Sequence, residues 1–355
     1  MASRGRWWRA FVASTATVTL AVAGCGRDDT TGPSPEPVAS APVGGTPARP
    51  SSPDGNPLAG RALYVDPTGD AATQVAQWTG QGRTEDARIL ARIADRPIAT
   101  WVTGGPTPVR DRVDAVVGRA AGGGRLPVLV AYNIPQRDCG SFSAGGAASA
   151  AEYREWIRDF AAGLAHRPAV VIVEPDAVAH LVDGCADDAE ERAALLRDAV
   201  DVLKATGSAV VYLDAGNPGW ITDTDRLARA LRRAGIAGAD GFALNVSNFV
   251  STADNVDFGR RVSDALGGHP HFVIDTSRNG AGPVPGSEIE GGPRWCNPPG
   301  RALGPAPTTD TGRPRVDAFL WIKNPGDSDG ACRAGEPAAG TWWPAYALDL
   351  ASRSG

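Results

Sequence analysis

The chain has 355 residues, enough to bury a large core, and 35 basic against 40 acidic side chains leave it at −5. That charge gives it no basic face for the phosphates of DNA or RNA, so nucleic acid is excluded as a partner. Its five cysteines are an odd number, so any disulfide framework leaves one thiol over for another purpose.

The first residues direct the chain out of the cytoplasm. Met1 to Arg9 is short and basic, Ala10 to Ala23 is apolar, and Val22-Ala23-Gly24-Cys25 closes the stretch. A charged start, a short apolar run and a small-residue boundary describe a signal peptide over residues 1–24, too short for a comfortable membrane span. A cysteine directly after the boundary looks like a bacterial lipoprotein signal, with Cys25 lipidated as the mature N-terminus; an ordinary secreted protein with a stray cysteine is the alternative. Residues 25–57 then hold almost no large apolar side chain. They cannot repay the entropy of ordering, so they read as a flexible tether. Folded sequence is expected over residues 58–355 as one domain.

Within that span short apolar runs recur: 62–65, 98–102, 128–132, 170–173, 210–213, 241–246, 271–274 and 318–322. They are continuous rather than alternating, which is how strands covered on both faces read. Helical stretches are expected between them at 85–94, 148–165, 187–206, 223–234 and 255–266. Strand–helix–strand repeated six or seven times predicts an α/β fold, a parallel barrel of about seven strands.

In such a barrel the loops after the strands' C-terminal ends build the active site. Those positions carry Asp138, Glu174, Asp176, Asp214, Asp275, Asp327 and Asp329. A single aspartate at a strand end is an ordinary turn residue, but carboxylates from five strand ends on one rim are hard to explain that way. Against a metal cluster, the neighbouring sequence has no HxH or HExxH spacing, and His166, His180, His269 and His271 lie outside these loops; a site of aspartates alone stays open. The other chemistry is a carboxyl pair with separated pKa values, one acid and one base, as glycoside hydrolysis uses. Trp101, Trp220, Trp295 and Trp321 lie at or near strand ends, where rings can stack on sugars, although Trp321 inside an apolar run reads as core.

Seven motifs in order carry a resemblance: Tyr-Asn-Ile-Pro-Gln-Arg-Asp-Cys-Gly (132–140), Val-Glu-Pro-Asp (173–176), Tyr-Leu-Asp-Ala-Gly (212–216), Asn-Val-Ser-Asn-Phe (245–249), Asp-Thr-Ser-Arg-Asn-Gly (275–280), Trp-Cys-Asn-Pro-Pro-Gly (295–300) and Trp-Ile-Lys-Asn-Pro-Gly-Asp-Ser-Asp-Gly (321–330). Over nearly the whole of residues 58–350 the chain resembles glycoside hydrolase family 6, the inverting cellulases. The resemblance implies a distorted parallel α/β barrel acting on the β-1,4 links of cellulose or soluble β-glucan, with no cofactor and no metal. It implies Asp176 as general acid, Asp138 as the aspartate that keeps that acid protonated, and Asp329 as the proposed base, paired with Lys323 and Arg278. Tyr132 matches the tyrosine beside the distorted sugar, Trp101 and Trp295 the stacking rings on one side, and Trp220 the platform on the other. Asp214, Asn217, Asn248 and Asp327 complete the implied glucan-binding set. Asn217 stands where the family usually has histidine, and Asp327 where glutamate is common.

The same resemblance pairs Cys139 with Cys185 and Cys296 with Cys332, leaving Cys25 for the anchor. The compact domain favours an open cleft and internal cleavage over the roofed cleft of cellobiohydrolases. The expected partner is the glucan itself, met by a monomer held outside the cell membrane; a carbohydrate-binding lipoprotein without catalysis is the rival reading.

Overall fold

The computed structural model describes residues 55–354, so the expected signal peptide, Cys25 and all but the end of the expected tether lie outside the described residues. Seven parallel strands form one sheet, β1 (Thr100–Val102), β2 (Val128–Ala131), β3 (Ala169–Val173), β4 (Ala209–Asp214), β5 (Gly241–Leu244), β6 (His271–Asp275) and β9 (Val316–Leu320), hydrogen-bonded in that order. A two-residue hairpin, β7 (Glu288–Ile289) with β8 (Gly292–Pro293), stands outside it. The sheet curls until its two edges meet: Ile98 forms a parallel bridge to Trp321, and Ala99 N donates to Trp321 O at 2.9 Å. This is the expected distorted barrel, with a seam of minimal pairing between first and last strands.

Alternate residues of each strand feed two different cores. Val128, Val130, Val170, Ile172, Val210, Tyr212, Val273, Ala318 and Leu320 fill the barrel, and Leu58 joins them. Leu129, Val171, Val173, Val211, Leu213, Phe242, Phe272 and Ile274 pack outward against the helices. Both faces are covered, which is why the strands read as continuous apolar runs.

The covering helices are α1 (Asp70–Gly80), α2 (Thr84–Ala94), α3 (Val109–Gly122), α4 (Ala150–Leu164), α5 (Ala177–Asp183), α6 (Ala189–Lys204), α7 (Thr224–Arg233), α8 (Thr252–Ala265) and α9 (Pro344–Ser352). Ser149, Asp188, Asp223 and Ser251 cap α4, α6, α7 and α8, each accepting a backbone N–H three residues on. Helix α8 sits so close to the sheet that a Cβ on Gly259 would meet Phe272 at 2.3 Å.

Two expectations change. The run 62–65 forms no strand: Leu63 makes a single parallel bridge to Leu126, because it runs alongside only the entry to β2. Order also begins before Leu58, since Asn56 is buried and its Nδ2 donates to Asp317 O at 3.0 Å.

Candidate active site

At the C-terminal ends of the strands the loops enclose a cleft of about 1420 Å³, which runs from Trp101 and Tyr132 past Asp138 and Asp176 to Trp220 and Asn248. The wall and the backbone just behind it depart in places from ordinary geometry. Gln136, Asp138, Cys139, Glu174, Asp176, Asn245, Ser247 and Asn297 all hold positive φ without being glycine. Such conformations cost on the order of 1–3 kcal/mol each and persist where surrounding bonds over-determine them.

Those bonds are visible. Buried Glu174 accepts the N–H groups of Asn133 and Ile134 at 3.0 Å, tying the end of β3 to the loop after β2. The next acidic residue, Asp176, has φ 73° as the N-cap of α5, and its N–H donates to Asp214 Oδ2 at 2.8 Å. Asp138, across from it, is fixed by Ser143, whose N–H and hydroxyl both reach Asp138 Oδ2, at 2.8 and 2.9 Å. Ser143 Oγ also meets the Tyr132 hydroxyl at 2.9 Å, and Arg137 lies 4.5 Å over the Tyr132 ring.

Burial, then the charges of Asp214 and Asp138, push Asp176 well above the usual carboxylate range, against a weaker pull from Lys323. Burial likewise pushes Asp214 up to about 7. Asp329 goes the other way: burial opposes ionisation, but Arg278 and Lys323 outweigh it and hold the carboxyl below its ordinary value. Arg278 Nη1 reaches Asp329 Oδ2 at 2.8 Å and Lys323 Nζ reaches Oδ1 at 3.2 Å. Asn297 clasps the same residue in both directions, through N–H to Oδ2 at 3.0 Å and Oδ1 to the Asp329 N–H at 2.7 Å. The two sides of the cleft therefore shift a carboxyl in opposite directions, Asp176 toward the protonated form and Asp329 toward the ionised one.

Disulfides fasten both loops, joining Cys139 to Cys185 and Cys296 to Cys332 with Cα separations of 6.2 and 6.4 Å. Phe142 and Trp295, one beside each disulfide, meet edge-on at 5.8 Å.

Of the residues singled out in the sequence, Trp101, Tyr132, Asp138, Asp176, Asn217, Trp220, Asn248, Trp295, Lys323, Asp327 and Asp329 all line the cleft. Trp101 stacks edge-on to Tyr132 at 5.0 Å and donates its indole N–H to Ile322 O. Burial pushes Asp327 up to about 6. Two expected glucan-binding residues do not reach the wall. Asp214 is 1 % exposed behind Asp176, whose backbone N–H it accepts, and Arg278 is fully buried behind Asp329, with whose carboxylate it pairs. Asn217 lines the cleft but spends its Oδ1 on the Gly219 N–H at 2.9 Å. Trp321 is core, as its apolar flanks implied, with its indole N–H on Pro305 O.

The sequence reading missed Ser143 and Arg137, and it set His180 aside. His180 lies one helical turn beyond Asp176 and lines the same cleft. The i, i+4 spacing from Asp176 was the signal that could have found it.

A parallel barrel whose rim sets a carboxyl with a raised pKa against an ion-paired carboxylate, walled by indole rings, has the acid and base placement that glycoside hydrolysis uses. The model of the family described as Glycosyl hydrolases family 6 matches residues 58–354, and the chain belongs to that family. It is 46 % identical over 295 residues to Endoglucanase A of Thermobispora bispora, covering 81 % of this chain and 61 % of that protein. It is 43 % identical over 297 residues to Endoglucanase 1 of Streptomyces halstedii, covering 81 % and 88 %. The chain thus spans about three fifths of the length of the first relative. Among solved structures it is similar to the endoglucanase Cel6 from Mycobacterium tuberculosis in complex with methyl-cellobiosyl-4-deoxy-4-thio-β-D-cellobioside, at 43 % identity and a TM-score of 0.77 over 84 % of this chain and 99 % of that one.

Proposed function

We propose that the chain is an endo-β-1,4-glucanase that cleaves cellulose or soluble β-glucan with inversion, and that Asp176 is its general acid. The opposed charge states of Asp176 and Asp329 on one cleft carry this reading. Asp176 gives its proton to the glycosidic oxygen as the bond breaks, while Asp138 and Asp214 keep it protonated until then. Water attacks the opposite face of the sugar. Asp329 has both oxygens occupied by cations and by Asn297, so it is a poor base on its own. A proton leaves the attacking water through intervening solvent toward Asp329, whose carboxylate the two cations keep available to receive it.

Tyr132 presses on the sugar at the cleavage point, Trp101 and Trp295 stack on one side of it, and Trp220 on the other. Asn217, Asn248, Lys323 and Asp327 supply polar contacts along the chain. Endo action is supported by the relatives of 43–46 % identity, which are named endoglucanases. The Val-Ala-Gly-Cys motif supports removal of residues 1–24 and lipidation of Cys25, with the following residues tethering the domain outside the membrane.

Carboxymethyl-cellulose tests the activity. The protein is expected to lower viscosity much faster than it releases reducing ends, and Asp176→Ala is expected to abolish both. No turnover by the unmutated protein on any β-glucan would favour the carbohydrate-binding reading; reducing ends released without a fall in viscosity would favour exo action. Cys25→Ala is expected to release the protein from the membrane fraction.

A further inference from the structure

His180 stands four residues after Asp176, and its N–H donates to Asp176 O at 2.9 Å within the first turn of α5. Its ring packs edge-on against Trp220 at 5.0 Å. Nδ1 lies 3.3 Å from Asp183 Oδ2, whereas Nε2 is buried and has no hydrogen-bond partner. The side chain is only 9 % exposed. A buried polar atom without a partner costs on the order of 1–3 kcal/mol and needs a reason.

The surroundings supply one. A ring nitrogen of His180 and carboxylate oxygens of Asp138 and Asp176 all lie within 4.8 Å of one another. One nitrogen and two oxygen donors plus a water make the open four-coordinate set that Zn²⁺ takes with three protein ligands. Bonds of about 2.0–2.2 Å would bring neighbouring donors to about 3.4 Å, so the triad contracts by up to about 1.4 Å on binding. Ser143 holds Asp138 through Oδ2, so the contraction falls on Asp138 Oδ1 and on the side chains of Asp176 and His180. Calcium and magnesium, which take oxygen cages, suit this set poorly.

We propose that Asp138, Asp176 and His180 form a capture site for a Zn²⁺-class divalent cation, and that the captured ion inhibits by taking the place of the proton on Asp176. The inhibitory half rests on Asp176 being the general acid; the binding half does not. The cysteines near the same ring, Cys139 and Cys185, are joined to each other and offer no thiolate.

The test uses the intact disulfide-bonded protein without thiol reductant. Zn²⁺ binding is measured by calorimetry, and inhibition on carboxymethyl-cellulose is measured relative to each variant's own uninhibited rate. His180→Gln, which keeps a polar side chain, is made alongside His180→Ala, and thermal melting confirms that each is folded. The expected result is a one-to-one Zn²⁺ component that weakens tenfold or more in both variants and in Asp138→Asn, that EDTA reverses, and that Ca²⁺ does not reproduce. The inhibitory concentration of Zn²⁺ should rise by the same factor. Zn²⁺ affinity unchanged by both His180 variants overturns the site, and binding without inhibition overturns its action. Zn²⁺ bound in a His180-dependent way by a protein that hydrolyses no β-glucan would sink the glucanase reading and leave the binding site standing.

Discussion

Arg278 Nη1 donates to Asp329 Oδ2 at 2.8 Å with the arginine fully buried and the aspartate side chain 5 % exposed. Arg278 is also held by Ser247 O and lies 4.4 Å over the Phe249 ring, so its position is fixed before any substrate arrives. A buried ion pair contributes modestly to stability as a whole, but removing one partner strands the other charge. Lys323 still pairs with Asp329, so Arg278→Met is expected to cost less than a fully stranded charge, on the order of 1–3 kcal/mol in urea unfolding, and to raise the pKa of Asp329. Asp329 titrates low in the folded protein, so its stabilising contribution is whole above about pH 4, the unfolded value, and is lost as pH falls through the folded one. The acid side of the stability curve should therefore flatten in Arg278→Met, a change that pH-resolved unfolding would register.

The alkaline limb of the rate profile tests Asp176. As the proposed general acid, Asp176 acts in its protonated form, and after burial the largest influences raising its pKa are Asp214 and Asp138. Asp214→Asn keeps an oxygen for the Asp176 N–H but removes the charge, so the limb should move to lower pH. Asp138→Asn should move it the same way and lower the maximal rate, since the Ser143 contacts lose their charge assistance. A limb that stays in place in both variants would mean that Asp176 is not the group being titrated.

Glu174 gives a pH signature of the opposite sign to Asp329. Burial pushes its carboxyl up to about 7. A folded-state pKa above the unfolded value of about 4.3 means that stability is whole below that value and is lost as pH rises toward 7, by on the order of 3 kcal/mol. Glu174→Gln cannot ionise, so its stability relative to the unmutated protein should improve between pH 4 and 8. A parallel pair of stability curves would show that Glu174 does not titrate in that range.

Most of the barrel is legible in the sequence because strands buried on both faces must be apolar at every position, as 169–173 and 209–213 are. The run 62–65 has the same look, yet Tyr64 and Val65 stay half-exposed; composition cannot say whether a neighbouring strand edge is available. Helix α5 escaped notice because nearly all its residues are buried, which erases the one-sided pattern that reveals a surface helix. At the site, motif order predicted which loops converge. It could not distinguish Asp329, on the wall, from Asp214 and Arg278, one layer behind, because depth depends on packing between strands distant in sequence. Reading only strand-end loops also excluded His180, which reaches the cleft from inside a helix.

The Cys296–Cys332 bridge carries a prediction about function as well as stability. Closing a loop of 36 positions is worth about 4 kcal/mol in the chain-entropy model, less any strain. The same loop holds Asn297, which binds Asp329 through two hydrogen bonds. Replacing both cysteines by alanine should lower stability by up to about that amount and also reduce kcat at temperatures where the fold is intact. An unchanged kcat would show that Asn297 and the two cations hold Asp329 without the covalent tie.

Phe142 and Trp295 are the exposed large apolar side chains among the described residues, at 42 % and 39 %, and they meet each other. Each belongs to a disulfide-fastened loop, Phe142 to that of Asp138 and Trp295 to that of Cys296, so their edge contact joins the acid side of the cleft to the Asp329 side. Aromatic pairs of this geometry contribute about 0.5–1.5 kcal/mol beyond buried area. Phe142→Ala leaves the Trp295 ring available for stacking but frees its orientation and the loop opposite, so the cost should fall on binding. KM for a soluble cello-oligosaccharide should rise about two- to tenfold with kcat little changed, as expected for lost uniform binding. Gly330→Ala should act in the same direction, because its Cβ would come within 2.5 Å of Phe142 Cβ and displace the ring. A fall in kcat at constant KM in both variants would instead place Phe142 among the groups that orient Asp138 at the transition state.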